Sequence, residues 1–327
     1  MHKLNAILNQ FTSIVRPFAV ENVGLETALG RWIAEDIRTP IAWPPFNRSL
    51  RDGYALLARS TIEASRSNPL ILTVKEVIPA GSVSQKPVEE SDAVRILTGA
   101  PVPRFFDSVI AFEEVETYGN QVFLTSPVNA GQHIRRKGTI IEAGEIVVAR
   151  GTRLGPGEIE AIASAGYSGV KVYQQPKVSV LPVGSELVEP GEPLEKGRIY
   201  SSNGFLISAW IQVWGGVPRR LNCVHDNVEQ IVRILEAERA TSQILVTTGG
   251  TSRGDYDFAP TVLETLGATE IVRILPREEG GPFTGGIVNG QPVLCFSGSP
   301  KAAVRSAKIF LKPSLEKMLG SNLHSWD

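Results

Sequence analysis

The chain has 327 residues, 42% of them apolar, with 33 Lys and Arg against 34 Asp and Glu for a net charge of −1. That length supports two or three domains with a sizeable core, and that apolar fraction excludes a disordered chain. The near-neutral charge excludes a nucleic-acid binder that relies on a broad basic surface, though a local basic pocket stays open.

Cys223 and Cys295 lie far apart in apolar runs, so they are expected to be reduced core residues rather than a disulfide. His2, His133, His225 and His324 have no metal-ligand spacing, which argues against zinc. The opening MHKLNAILNQF has no long uncharged segment and no cleavage site of small residues, and no run approaches a membrane span. A cytoplasmic protein, without membrane or nucleic-acid partners, is the expectation.

In chain order, residues 3–16 place Leu4, Ile7, Leu8, Phe11, Ile14 and Val15 at helical spacing, and residues 24–36 predict a second short helix. PIAWPPFNRS cannot continue a helix and marks a boundary. LILTVKEVI, AVRILTG, SVIAFEEV and QVFLT, between 68 and 126, predict a small β module. A helix follows over PGEIEAIASAGY, with Pro156 near its start and Gly166 near its end. From 177 the pattern alternates: KVSVLPVG a strand, NGFLISAWIQVWGG a helix with Asn203 as N-cap, RRLNCV a strand, NVEQIVRILEAERA an amphipathic helix. ILVTT, FAPTVLETLG and EIVRIL continue the alternation, which predicts a mostly parallel sheet with helices on both faces. IVNGQPVLCFSG reads as a hairpin turning at Asn289-Gly290, and the last helix, AAVRSAKIFL, is interrupted by Pro313.

The chemistry-bearing stretches lie at strand ends, where open α/β sheets bind ligands. ILVTTGGTSRGDYD ends a buried strand in Gly249 and Gly250, whose backbone can approach an anion closely. Asp255 and Asp257 follow, either as cation ligands or as caps of the next helix. LPVGSEL puts Glu186 just past Gly184, and Ser201, Ser202 and Asn203 stand at a helix start that suits an anion. Asp226 is a helix N-cap or a site acid. Ser297 to Pro300 leads into a helix and offers amides to a phosphate. Outside this domain, Asp52 in SLRDGYAL sits in a turn, bonding its own backbone or holding a ligand, and Thr98-Gly99 in RILTGAPVP is a hairpin turn or an anion contact. The common location of Glu186, Asp226, Asp257 and the Ser297–Ser299 segment is what a ligand cleft requires.

PPFNRSLRDGYA, RILTGAPVP, GQHIRRKG, VGSELVEPG, GRIYSSN, TTGGTSRGDYD and SGSP occur in the order found in the MoeA family, and over residues 4–320 the chain resembles its members. These are molybdopterin molybdenumtransferases, a group that also includes the C-terminal domain of gephyrin. The resemblance implies an α/β plus β multidomain fold. A MogA-like α/β domain would occupy 177–320, a small β-rich domain 49–126, and a bipartite linker or dimerisation domain 1–48 with 127–176, leaving a tail at 321–327. It implies a homodimer in which the Asp52 loop of one protomer faces the α/β cleft of the other. The implied reaction takes adenylylated molybdopterin, delivered by an adenylylating partner enzyme, and molybdate, with Mg²⁺, and releases AMP.

Carried over position by position, Asp52, Thr98, Glu186, Asp226 and Asp257 match the family's catalytic motifs, with Asp226 and Asp257 as metal ligands. Gly184, Ser185, Ser202, Asn203, Gly249, Gly250, Ser252, Arg253, Ser297, Gly298, Ser299 and Pro300 match the cofactor-binding ones. The family's TGDEL reads VGSEL here, with Ser185 in place of its Asp. Its GED reads Gly138-Thr139-Ile140, and its PGNP reads Ser297-Gly298-Ser299-Pro300. PREEGGPF replaces KPGKP, so Glu278 and Glu279 stand where cations serve an anionic ligand, and Arg253 or Arg277 would have to compensate. The family's small C-terminal β-domain is expected to be lacking. These departures keep two alternatives to catalysis: a paralogue that binds molybdopterin or a nucleotide without turnover, and a scaffold.

Overall fold

The computed structural model describes residues 2–250, 257–275 and 281–321. Two compact units are formed, Met1–Ile37 with Val148–Asp327, and Arg38–Val147. The elements used below are α1 (His2–Ile14), β1 (Val20–Gly24), β2 (Gly53–Leu56), β3 (Leu70–Ile78), β4 (Asp92–Ile96), β5 (Ser108–Ala111), β6 (Glu116–Tyr118), β7 (Gln121–Leu124), α2 (Pro156–Ser164), β8 (Gly169–Tyr173), β9 (Lys177–Pro182), α3 (Asn203–Val213), β10 (Val217–Arg220), α4 (Val228–Arg239), β11 (Ile244–Thr248), α5 (Ala259–Thr265), β12 (Thr269–Ile274), β13 (Phe283–Val288), β14 (Gln291–Phe296), α6 (Pro300–Ser306) and α7 (Lys312–Met318).

The larger unit is built on a six-stranded sheet of order β10-β9-β11-β14-β13-β12. The first four strands are parallel, and β13 runs antiparallel to both its neighbours, β14 and β12, so it alone is reversed in this sheet. Side chains alternate across it. Val178, Val180, Ile244 and Val246 join one core with Phe11 of α1, Ile207 and Ile211 of α3, and Phe310 and Leu315 near the C-terminal end. Leu181 and Leu245 join the other with Ile231 and Leu235 of α4 and Val262 and Leu263 of α5. Strands covered on both faces carry near-continuous apolar runs, as over residues 244–246, and the two threonines that end β11 are buried as well. The grouping of residues 1–48 with the bipartite segment stops short for α1, which packs into the α/β core. β1 pairs antiparallel with β8.

The smaller unit holds a second six-stranded sheet, β5-β2-β4-β3-β7-β6. Its pairs are antiparallel except β3 with β4. The α/β plus β architecture anticipated above is the one found. The Asn289-Gly290 hairpin is also present, both residues having the positive φ (49° and 80°) that such a turn demands.

Three expectations are corrected. The helix over 24–36 is replaced by the end of β1, one 3-10 turn at Leu25–Thr27, and bridges from Trp32 to Arg153 and Ile33 to Val172. Gly30, at φ 76°, breaks the helical path, and burial of Trp32 and Ile33 fixes an extended one. The strand expected over RRLNCV is Val217–Arg220, with only a single further bridge, Val183 to Val224. Pro313 does not end the last helix. A π turn over Ala307–Leu311 precedes α7, and Pro313 falls in its first turn, where a missing N–H costs nothing.

Candidate functional site at the carboxyl rim of the sheet

Register brings the ends of three strands level: Pro182 pairs with Thr248, and Thr248 with Phe296. Hydrogen bonds extend one residue further, from Val183 N–H to Thr248 O (2.8 Å) and from Gly249 N–H to Phe296 O (2.9 Å). The segments Gly184–Glu186, Gly249–Gly250 and Ser297–Pro300 therefore leave one rim together. The segment after β10 joins them, since Gly184 N–H donates to Val224 O at 2.9 Å.

Gly249 has a steric reason. A Cβ on Gly249 (φ 101°) would lie 2.1 Å from Val183 O, whereas one on Gly298 would meet Gly249 Cα only at an ordinary contact distance of 3.9 Å. A Cβ on Gly184 would meet the Glu186 carboxylate at 2.7 Å, so Glu186 is folded back over Gly184. Gly204, one residue into α3, lies against Pro182. This packing sets the α3 start over the same rim.

Asp226 is not the cap of α4. Asn227 is, its Oδ1 accepting from Gln230 N–H at 2.8 Å. Asp226 instead accepts from Ser185 N–H through Oδ2 (3.0 Å) and donates its own N–H to Ser185 Oγ (3.2 Å). Arg198 donates to Ser185 O. Asn203 is not a cap either. It is the first residue of α3, Ser202 holds the N-cap position without a side-chain bond, and Asn203 Nδ2 donates to Gly298 O at 2.7 Å. Asn203 thus ties the Ser297–Pro300 loop to α3, and its buried Oδ1 has no partner among the described residues. Ser299 N–H bonds Ser297 Oγ (3.1 Å) and Pro300 has no N–H, so this loop offers an anion fewer amides than its sequence suggested.

Asp257 precedes Phe258, the N-cap of α5, and does not cap that helix. It forms an ion pair with Arg273 of β12, and its side chain is only 9% exposed. Its Oδ1 is buried without a hydrogen-bond partner among the described residues. Ser252 and Arg253 lie outside the described residues, as do Asp255, Arg277, Glu278 and Glu279.

In the smaller unit, the SLRDG and TGA turns are tied together. Gly99 N–H donates to Ser49 O (2.9 Å), and Ser49 N–H to Ala100 O (3.0 Å). Asp52 does not bond its own backbone. Its Oδ1 accepts both the N–H and the hydroxyl of Thr98, each at 2.7 Å. The Thr98 donors thus serve a protein carboxylate rather than standing open. Those two bonds, hydroxyl first, with the charge of Arg95, hold the exposed Asp52 carboxyl below its ordinary value. Gly53 follows because its strand is squeezed: a Cβ there would lie 1.9 Å from Ile110 O.

The sequence reading did not single out Arg273, the partner of Asp257, or Glu189. Glu189 accepts from Arg220 (2.9 and 3.0 Å) and from Cys223 N–H (2.7 Å), bracing the loop behind Asp226. These pairs join residues 16 to 34 apart, and no local motif marks them.

A sheet rim with glycine turns, an aspartate anchored to the neighbouring loop and a helix start is the arrangement at which open α/β sheets take ligands. The comparisons make the class specific. Residues 2–166 match the model of the MoeA N-terminal region (domain I and II), and residues 179–317 that of a probable molybdopterin binding domain. A molybdopterin molybdenumtransferase of Staphylococcus epidermidis is 32% identical over 300 residues, covering 92% of this chain and 72% of that protein. One of Bacillus subtilis is 33% identical over 303 residues, covering 91% and 70%. The crystal structure of a molybdopterin biosynthesis MoeA protein from Pyrococcus horikosii matches with a TM-score of 0.85 at 32% identity, covering 97% of this chain and 80% of that one. The chain belongs to the MoeA family.

Proposed function

We propose that this protein acts in molybdenum cofactor biosynthesis as a molybdopterin molybdenumtransferase, inserting molybdate into adenylylated molybdopterin and releasing AMP in the cytoplasm. The family match over nearly the whole chain supports the activity. One observation carries the assignment of the site: register aligns Pro182, Thr248 and Phe296, so Glu186, Asp226, the Gly249–Gly250 turn and the Ser297–Pro300 loop share one rim. No helix among the described residues is long and apolar enough to cross a membrane.

Mg²⁺ fits the donors present. Asp257 Oδ1 is a buried carboxylate oxygen without a partner among the described residues, and Asp226 bonds Ser185 through Oδ2 alone. No group of three or more acids, histidines or cysteines among the described residues forms a metal cage. Mg²⁺ needs none, since it keeps waters and substrate phosphates in its shell and takes one or two carboxylates. Asp226 and Asp257 would hold it, and it would offset the phosphate charge when bound. Glu186, exposed at the rim, orients the attacking oxygen. Asn203 and the glycine turns position the pterin phosphate.

The functional unit is proposed as a homodimer, each rim completed by the Asp52–Thr98 turn of the other protomer, with a separate adenylylating enzyme delivering the substrate. The test is AMP release by the purified protein given adenylylated molybdopterin, molybdate and Mg²⁺. Turnover that needs all three supports the reading. Release no faster than the protein-free rate rejects it.

A further inference from the structure

Beside the Asp52 turn stands an arginine that no hydrogen bond or ion pair engages among the described residues. Arg95 on β4 lies opposite Tyr54 on β2, in antiparallel register. The ring of Tyr54 stacks on Phe112 with centroids 6.3 Å apart and planes at 24°. Arg95 Cζ sits over the same Phe112 ring at 5.4 Å. Phe112 is in turn fixed to the Asp52 turn, because its N–H donates to Asp52 O at 3.0 Å. The result is a tier of Tyr54, Phe112 and Arg95 attached to the residue that also receives both Thr98 donors.

A guanidinium held on an aromatic ring keeps its N–H fork free at the edge, and that fork matches the oxygens of a phosphate or another tetrahedral oxyanion. Holding it in place beforehand removes part of the entropy cost of binding. Asp52 gives the need for it: an ionised carboxylate repels an incoming oxyanion, and a cation beside it offsets the repulsion. Arg95 is exposed, and Phe112 is 44% exposed, so both are open to a ligand.

We infer that Arg95, seated on Phe112, is the oxyanion-binding residue of the Asp52–Thr98 turn and holds a tetrahedral oxyanion of the substrate pair against it. This rests on the reading above that the Asp52 turn meets substrate. The oxyanion is either the phosphate of adenylylated molybdopterin or molybdate, and the two are separable by kinetics.

The experiment measures AMP release by the full chain and by Arg95→Ala, Arg95→Lys, Phe112→Leu and Asp52→Asn. Adenylylated molybdopterin is varied at saturating molybdate, then molybdate at saturating pterin. Arg95→Ala is expected to raise KM for one of the two by about tenfold, the worth of one charge-assisted contact, with a smaller change in kcat. Arg95→Lys should recover part of the loss, and Phe112→Leu should fall between Lys and Ala. The substrate whose KM moves identifies the oxyanion. Unchanged KM for both substrates in Arg95→Ala, or a fall in kcat alone, overturns the inference. Should Asp52→Asn keep full activity, the reading of the turn fails first. An inactive Asp52→Asn beside an unaffected Arg95→Ala removes only the role of Arg95.

Discussion

Asp226 and Ser185 hold each other by two hydrogen bonds across 41 residues of sequence, Ser185 N–H to Asp226 Oδ2 and Asp226 N–H to Ser185 Oγ. The pair locks the loop after β9 to the loop after β10 at the sheet rim. It leaves Asp226 Oδ1 without a bond among the described residues and gives Ser185 a bracing role at the position where the family pattern has an acid. Asp226→Asn keeps an acceptor for the amide and loses the charge, so thermal stability should stay close to wild type while AMP release drops at least about tenfold. Ser185→Ala should cost only about 0.5–1 kcal/mol in urea unfolding, since Asp226 N–H can turn to water. An Asp226→Asn protein as active as wild type would remove this carboxylate from the chemistry.

The turn after β11 tolerates no side chain. Gly249 has φ 101° and backbone 2.1 Å from the place a Cβ would take, whereas Gly290 has φ 80° with nothing within 4 Å. Both alanine variants incur the left-handed penalty of about 1–2 kcal/mol, and only Gly249→Ala adds a clash with Val183. Gly249→Ala should therefore lose roughly 2–4 kcal/mol in denaturant unfolding and Gly290→Ala distinctly less. Equal losses would show that the contact with Val183 carries no energy.

Thr98 holds the Asp52 carboxyl low. In the folded chain this group ionises below its ordinary value of 3.8. The stability it contributes is thus present above that value and is lost as pH falls through the lowered one. Thr98→Val removes the hydroxyl bond and keeps the amide bond, so the Asp52 titration followed by NMR should move upward toward the ordinary range. No movement would assign the depression to Arg95 and the amide alone.

Burial pushes the Cys295 thiol up to about 11 from 9.0, the bond with Thr247 opposing it, and burial with Glu189 nearby also raises Cys223. Both are neutral thiols at pH 7, and iodoacetamide should reach half-buried Cys223 before buried Cys295. Above pH 9 the unfolded chain ionises Cys295 and the folded one does not, so stability should fall between pH 9 and 11 by on the order of 2–3 kcal/mol. Cys295→Ala should flatten that fall. An unchanged slope in the variant would place the alkaline loss elsewhere.

What the sequence made legible was local. ILVTT ending in Gly249-Gly250, KVSVLP ending before Gly184 and the Asn289-Gly290 turn each carry their hydrophobic run and their breaker side by side, and all three stand where the reading put them. Partners distant in sequence stayed hidden. Nothing near Thr98 says that its hydroxyl is taken by Asp52, 46 residues earlier, and nothing near Asp257 points to Arg273. Asp226 and Asn227 are both good caps by type, and only the position of Ser185 decides which one turns toward the rim. The helix expected over 24–36 failed for a related reason, because pairing with β8 and its neighbours overrode local propensity.

The measurement closest to the central proposal mixes two variants that are each expected to be impaired. Asp52→Asn alters the turn and Asp226→Asn the rim, and a dimer that builds each site from both protomers regains one intact site in every mixed pair. Equal amounts allowed to exchange subunits should recover about a quarter of wild-type AMP release, half of the dimers being mixed and each mixed dimer having one of two sites whole. A mixture as inactive as its components, after exchange has been verified by labelled subunits, would contradict the shared site.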